Sequence, residues 1–79
     1  MRDLYRVLLW EDAVRIFERD FLPGIRHTER KNGFKGVDKC MRREAWNNWT
    51  DSLCKDGRIS DWQYENWSQP DCCEKDPRW

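Results

Sequence analysis

The sequence predicts an all-α fold, a small three- to four-helix domain with a C-terminal helical hairpin and a loosely ordered tail. Three observations predict it. Apolar residues recur at helical spacing through residues 10–25 and again through 41–53. A glycine stop followed by a capping-box pattern marks a hairpin across residues 38–67. Six Trp, three Phe and two Tyr supply enough large apolar surface for a core, even though 38% of the 79 residues are charged. A chain of this length holds one domain, read here as residues 1–70 with a tail at 71–79.

The first helix is carried by Trp10, Val14, Phe17, Phe21 and Ile25, one stripe of a 3.6-residue period, with Arg15, Glu18 and Arg19 on the opposite face. Glu11 and Asp12 suit the positive end of the helix dipole. Residues 4–10 fit either an earlier helical turn or an extended lead-in, because β-formers mix with leucine there. Pro23 lacks an amide donor and crowds the preceding turn, so a kink or stop is predicted near Leu22. A second helix with Pro23 in its first turn then runs through Arg26, Glu29 and Arg30 to Asn32-Gly33. The glycines of residues 32–36 mark a loop, which Phe34 is expected to anchor to the core.

The hairpin begins at Asp38, a candidate N-cap. Met41, Ala45, Trp49 and Leu53 recur every four residues as the expected inner stripe, with Trp46 beside them. Lys55-Asp56-Gly57 reads as a helix stop. Ser60 followed by Gln63 is a capping box, flanked by Ile59 and Tyr64 at the two staple positions. Pro70 ends the short helix, and residues 71–79 are expected to be loose unless Cys72–Cys73 or Trp79 docks.

Charge bounds the function. Fifteen basic and fifteen acidic residues cancel, which argues against a protein that relies on bulk attraction to phosphate. The distribution is uneven: residues 24–44 carry seven basic and three acidic groups, and residues 61–79 carry two basic and five acidic. Internal complementarity and a basic contact surface both account for that polarity. No apolar run approaches the length of a membrane span, and the first residues lack the apolar core and cleavage site of a signal peptide. A cytosolic setting is the expectation, with Cys40, Cys54, Cys72 and Cys73 as free thiols.

No residue set meets the requirements of catalysis or of cofactor binding. A metal site drawn from Cys40, Cys54, one tail cysteine and His27 lacks the paired spacing of zinc ligands, and Cys40 and Cys54 read better as small apolar residues. His27 is the one conventional base, and it lies in a basic stretch with no orienting partner pattern. The hairpin has the dimensions of a helix-turn-helix, and Lys35, Lys39, Arg42 and Arg43 are close by. Its second helix, however, has no basic residue and offers only Gln63 and Asn66 to base edges. Trp46, Trp49, Trp62 and Trp67 are expected to fill the space between the hairpin helices, and any that is exposed becomes a candidate interface anchor. Lys39, Arg42, Arg43 and Trp46 lie close together on one helix and form the candidate partner-binding patch.

Residues 42–70, RREAWNNWTDSLCKDGRISDWQYENWSQP, resemble a group of small proteins encoded by bacteriophages and prophages. The shared pattern is W/F-N-N/D-W/Y-T/V-D-x-L-C-K-D-G-x-I-S, ending in a Trp and a Pro. Here it falls on Trp46 to Leu53, Cys54-Lys55-Asp56-Gly57, Ile59-Ser60, Trp67 and Pro70, about a third of the chain. The resemblance implies a phage or prophage origin, hence the host bacterial cytosol, and it carries no residue role. Small phage proteins often act by redirecting a host protein, including defence complexes, which is an analogy of kind rather than of site. The expectation is therefore a non-enzymatic accessory protein that binds a protein partner, with self-association as one way to add stability to so short a chain. A DNA-binding regulator using the basic 35–43 region is the alternative, and a cysteine-based metal or thiol protein the third reading.

Overall fold

The computed structural model describes residues 8–77 and 79, and among these it is all-helical, as the periodicity predicts. Four α-helices succeed one another: α1 (Trp10–Ile16), α2 (Leu22–Lys31), α3 (Lys39–Lys55) and α4 (Asp61–Asn66). A π-helical turn, Phe17–Phe21, joins α1 to α2, and a 3₁₀ turn, Asp71–Cys73, comes after α4. No helix among the described residues is long and apolar enough to cross a membrane. Of the ambiguous stretch 4–10, residues 4–7 lie outside the described residues, and Leu8 and Leu9 precede the first helical turn.

Pro23 neither stops the rod nor leaves it uniform. The backbone stays right-handed helical through Ile16, Phe17, Phe21 and Leu22, and the wider π turn lies just ahead of the proline, where the missing amide and ring crowding act. One residue added to a turn rotates the remainder of the helix by about 100°. Leu22, 1% exposed, therefore takes the innermost position, and Phe21, the residue of the ideal stripe, is half-buried.

The helix ends are where the sequence places them. At α2, Gly33 with φ of 87° lets its own amide reach Arg30 O and the Phe34 amide reach Glu29 O, a Schellman closure. At α3, Gly57 with φ of 77° does the same, bonding Cys54 O while the Arg58 amide bonds Leu53 O. Asp38 Oδ1 accepts from the Met41 amide at 3.1 Å. The α4 capping box is complete: Ser60 Oγ accepts from the Gln63 amide at 3.1 Å, and Gln63 Oε1 accepts from the Ser60 amide at 2.7 Å. Gln63 also donates through Nε2 to Leu8 O at 3.0 Å, and the Leu8 amide bonds Arg58 O at 3.1 Å. One side chain thus caps α4 and ties it to the residues leading into α1.

The core packs α1, the π turn and α3 around aromatic rings. Phe17 meets Trp46 edge-on with centroids 5.3 Å apart, Phe21 lies 5.0 Å from Trp49, and Trp46 lies 5.7 Å from Trp49. Trp67 closes one side at 6.2 Å from Trp46. Trp10 donates its indole N–H to Ser68 O at 2.8 Å, which fastens the segment after α4 to the start of α1.

Three expectations need correction. The buried stripe of α3 is Arg42, Trp46, Thr50 and Leu53, one position over from the expected Met41, Ala45, Trp49 and Leu53, of which only Leu53 is fully buried. Two polar residues hold the inner face because each is satisfied there; the Thr50 hydroxyl donates to Trp46 O at 2.9 Å. Phe34 does not anchor its loop: it is 43% exposed, and its backbone rather than its ring closes α2. The tail is docked, by the route the sequence leaves open, with Cys72 and Cys73 buried in the core cluster and Trp79 hydrogen-bonded to Glu29.

Candidate functional site

Two charged rows face each other across the tail. On α2, Arg26, Glu29 and Arg30 are three and four residues apart and so share a face; on α3, Lys39, Arg42, Arg43 and Trp46 do the same. Residues 71–77 and Trp79 run between the rows.

Arg42 is the centre of this arrangement. It and Glu29 are both fully buried. Its Nε donates to Glu29 Oε2 and its Nη2 to Glu29 Oε1, each at 2.7 Å, the bidentate geometry that suits a guanidinium to a carboxylate. Its Nη1 donates to Cys72 O at 2.7 Å and to Asp76 Oδ2 at 3.2 Å. Arg26 completes Asp76 through Nε at 2.6 Å and Nη2 at 3.2 Å. Glu29 further accepts from the Asp38 amide and the Trp79 indole N–H, both at 2.8 Å. Burial alone would raise the Glu29 carboxyl, but these donors and the Arg42 charge outweigh it and hold Glu29 below its ordinary value. For Arg42, burial works against the cation, and its bonds to Glu29 and Asp76 reverse the sign. Among the described residues every buried side-chain nitrogen and oxygen has a hydrogen-bond partner, so the network is complete as it stands.

The predicted patch therefore divides. Arg42 and Trp46 face inward, the first neutralised by two carboxylates and the second enclosed by aromatic rings, so neither is available to a partner. Lys39 and Arg43 are exposed at the margins of the same stripe, and both reach Glu74 of the tail, Lys39 Nζ at 3.6 Å and Arg43 Nε at 3.0 Å. Arg30 stacks over the Trp79 ring at 4.9 Å. The basic middle of the chain is thus answered by its own acidic end.

The cysteines exchange their expected places. Cys40 is exposed and Cys54 half-buried, whereas Cys72 and Cys73 are buried. The Cys54 thiol donates to Asp61 Oδ1 at 3.1 Å; that bond, with the negative charges of Asp51 and Glu65, pushes it up. Among the described residues no three of His, Cys, Asp and Glu converge on a point that suits a metal ion. A cleft of about 340 Å³ opens between the π turn, α2 and the tail, and Cys72 is part of its wall.

A second surface answers the expectation that any exposed Trp of the hairpin is a candidate interface anchor. No residue of α4 is fully buried, and Trp62 is 68% exposed, so it does not fill the hairpin. Tyr64 is exposed on the same helix, and Leu9 is exposed next to Leu8, whose backbone is held by Arg58 and Gln63 at this same end of the molecule. Asp61 and Glu65 flank the indole in sequence, and both are exposed. The signal available in the sequence is the capping box: it turns Gln63 back toward Ser60, and the adjacent Trp62 points about 100° away from it. No family model, curated protein or solved structure matches the chain.

Proposed function

We propose that this chain is a non-enzymatic accessory protein of phage or prophage type that acts by binding a protein partner, and that α4 is its contact surface. The observation that carries the reading is Trp62, 68% exposed on a helix fixed at its start by a capping box and by the bond from Gln63 to Leu8. A large aromatic on a rigid mount loses little conformational entropy on binding, and Trp is enriched among residues that dominate interface energetics. Asp61 and Glu65 beside it define the partner: an apolar recess for the indole, rimmed by Lys or Arg. The phage resemblance over residues 42–70, which include α4, supports a host protein as that partner.

The alternative of a DNA-binding regulator has less surface to draw on, because Arg42 is enclosed and Lys39 and Arg43 pair with Glu74. The test is capture from nuclease-treated bacterial lysate by the immobilised wild type and by Trp62→Ala in parallel. The reading expects a protein held by the wild type, released by salt and lost from the variant. A protein retained equally by both moves the contact elsewhere. Retention of the chain's own second copy makes α4 a self-association face, and recovery of nucleic acid alone when nuclease is omitted sinks the protein-partner reading.

A further inference from the structure

We propose that the adjacent thiols Cys72 and Cys73 are a reversible oxidation site, closed into a vicinal disulfide by low-molecular-weight disulfides, and that closing the ring releases the tail from α2 and α3. The two residues occupy the 3₁₀ turn at the root of the tail, and both are buried. Cys72 lines the cleft beside α2 and keeps a small exposed fraction of 7%, so of the two thiols it is the one within reach of a small disulfide in the cleft. Cys73, next in the chain, is fully enclosed and serves as the resolving thiol.

The chemistry balances in two exchanges. The Cys72 thiolate attacks one sulfur of the small disulfide, forming a mixed disulfide and expelling one small thiolate, which takes up a proton. The Cys73 thiolate then attacks the Cys72 sulfur, forming the Cys72–Cys73 bond and expelling the second small thiolate. The protein loses two protons and two electrons, and the small disulfide is reduced to two thiols. The hydrogen bond between the two thiols pulls Cys73 down and pushes Cys72 up, because the Cys72 S–H donates to the Cys73 thiolate, and the nearby Arg42 charge favours that thiolate further. Cys72 becomes the attacking thiolate by passing its proton across this hydrogen bond to Cys73, which gives the proton up to the leaving thiolate in the second exchange.

Geometry links the bond to the tail. Disulfides favour Cα separations of about 4.4–6.8 Å, whereas adjacent Cα atoms sit about 3.8 Å apart. The ring therefore forms only if the Asp71–Cys73 turn changes, and it is readily reduced again, as regulatory disulfides are. That turn aims Cys72 O at Arg42 Nη1, 2.7 Å away, and the Cys73 amide at Pro70 O, 3.0 Å away. Turning the Cys72 carbonyl away removes one acceptor from the buried guanidinium. Glu74, Asp76 and Trp79, which lie beyond the turn, then lose their register on Arg43, Arg42 and Glu29.

The experiment uses the full chain carrying Cys40→Ser and Cys54→Ser, positions outside the buried core, so that Cys72 and Cys73 are its only thiols. Oxidised glutathione is added, then removed, and the product is weighed and subjected to amide hydrogen exchange. The proposal expects a mass lower by two hydrogens, with exchange at Glu74, Lys75, Asp76 and Trp79 faster by about tenfold or more, the loss of one charge-assisted hydrogen bond, and recovery on adding a dithiol reductant. A chain that ends as a glutathione adduct or unmodified overturns the ring. A ring that leaves exchange at those four amides unchanged overturns the release. The further variant Cys73→Ser should stop at the mixed disulfide on Cys72; if it still shows tail release without modification, the effect is not the ring's.

Discussion

Replacing Arg42 by Met probes the buried network most severely, because it keeps the length of the stem and removes the guanidinium. Four hydrogen bonds are lost: two at 2.7 Å to Glu29, one at 2.7 Å to Cys72 O and one at 3.2 Å to Asp76. Asp76 retains Arg26, and Glu29 retains the Asp38 amide and the Trp79 indole. Glu29 nonetheless becomes a fully buried carboxylate with no cation against it. Removing one member of a buried pair costs about 3–5 kcal/mol. At roughly 0.05–0.15 kcal/mol per residue, a chain of this length has about 4–12 kcal/mol in all, so the variant should lose about a quarter or more of its stability. Urea unfolding followed by Trp fluorescence reads the loss as a lowered midpoint at similar slope. Adding Glu29→Met to Arg42→Met removes the stranded charge and should recover stability, with a coupling energy of about 2 kcal/mol. A single variant that unfolds with the wild type, or two single costs that simply add, would refute the network as a cooperative unit.

Further outcomes rest on the same contacts. Ser60→Ala should destabilise by about 1 kcal/mol, since one half of the α4 capping box is lost; an unchanged unfolding midpoint would mean that the box contributes nothing to α4. Trp46→Ala should cost about 3–5 kcal/mol, whereas Trp62→Ala should stay within about 0.5 kcal/mol, and equal costs in denaturant titrations would erase the distinction between core and surface Trp. Glu29 sits below its ordinary value of 4.5, so it contributes stability above that pH and the contribution disappears as pH falls through the folded-state value. The thermal midpoint should therefore drop on acidification below about pH 4.5, and Glu29→Gln should flatten that drop; parallel curves for the two proteins would assign the acid sensitivity to other carboxylates.

What the sequence discloses depends on how local the physics is. Asp38, Gly33, Gly57 and the Ser60–Gln63 pair act on backbone within three or four residues, and each is legible in the chain alone. The inner face of α3 is a different case. Arg42 lies inside because Glu29 and Asp76, 13 and 34 residues away, neutralise it, and hydropathy assigns a charge outward unless its distant partners are known. The docked tail depends on the same partners, since a stretch of mixed charge reads as solvated until Arg26, Arg42 and Arg43 are brought beside it. Leu22 displaces Phe21 because a π turn breaks the 3.6-residue period that defines the stripe. Trp62 reads as inward on the general tendency of Trp to be buried, although Gln63 and not Trp62 faces the residues leading into α1.

In the proposed function, the basic stripe of α3 serves the tail while α4 meets the partner. The affinity of the captured partner for Trp62→Ala, set beside its affinity for the Lys39→Ala/Arg43→Ala pair, tests this claim most directly. Trp62→Ala should lose about thirtyfold or more, the scale of an interface hot spot, and the pair less than about threefold. The reverse order, with the basic pair dominant and Trp62 neutral, would contradict it.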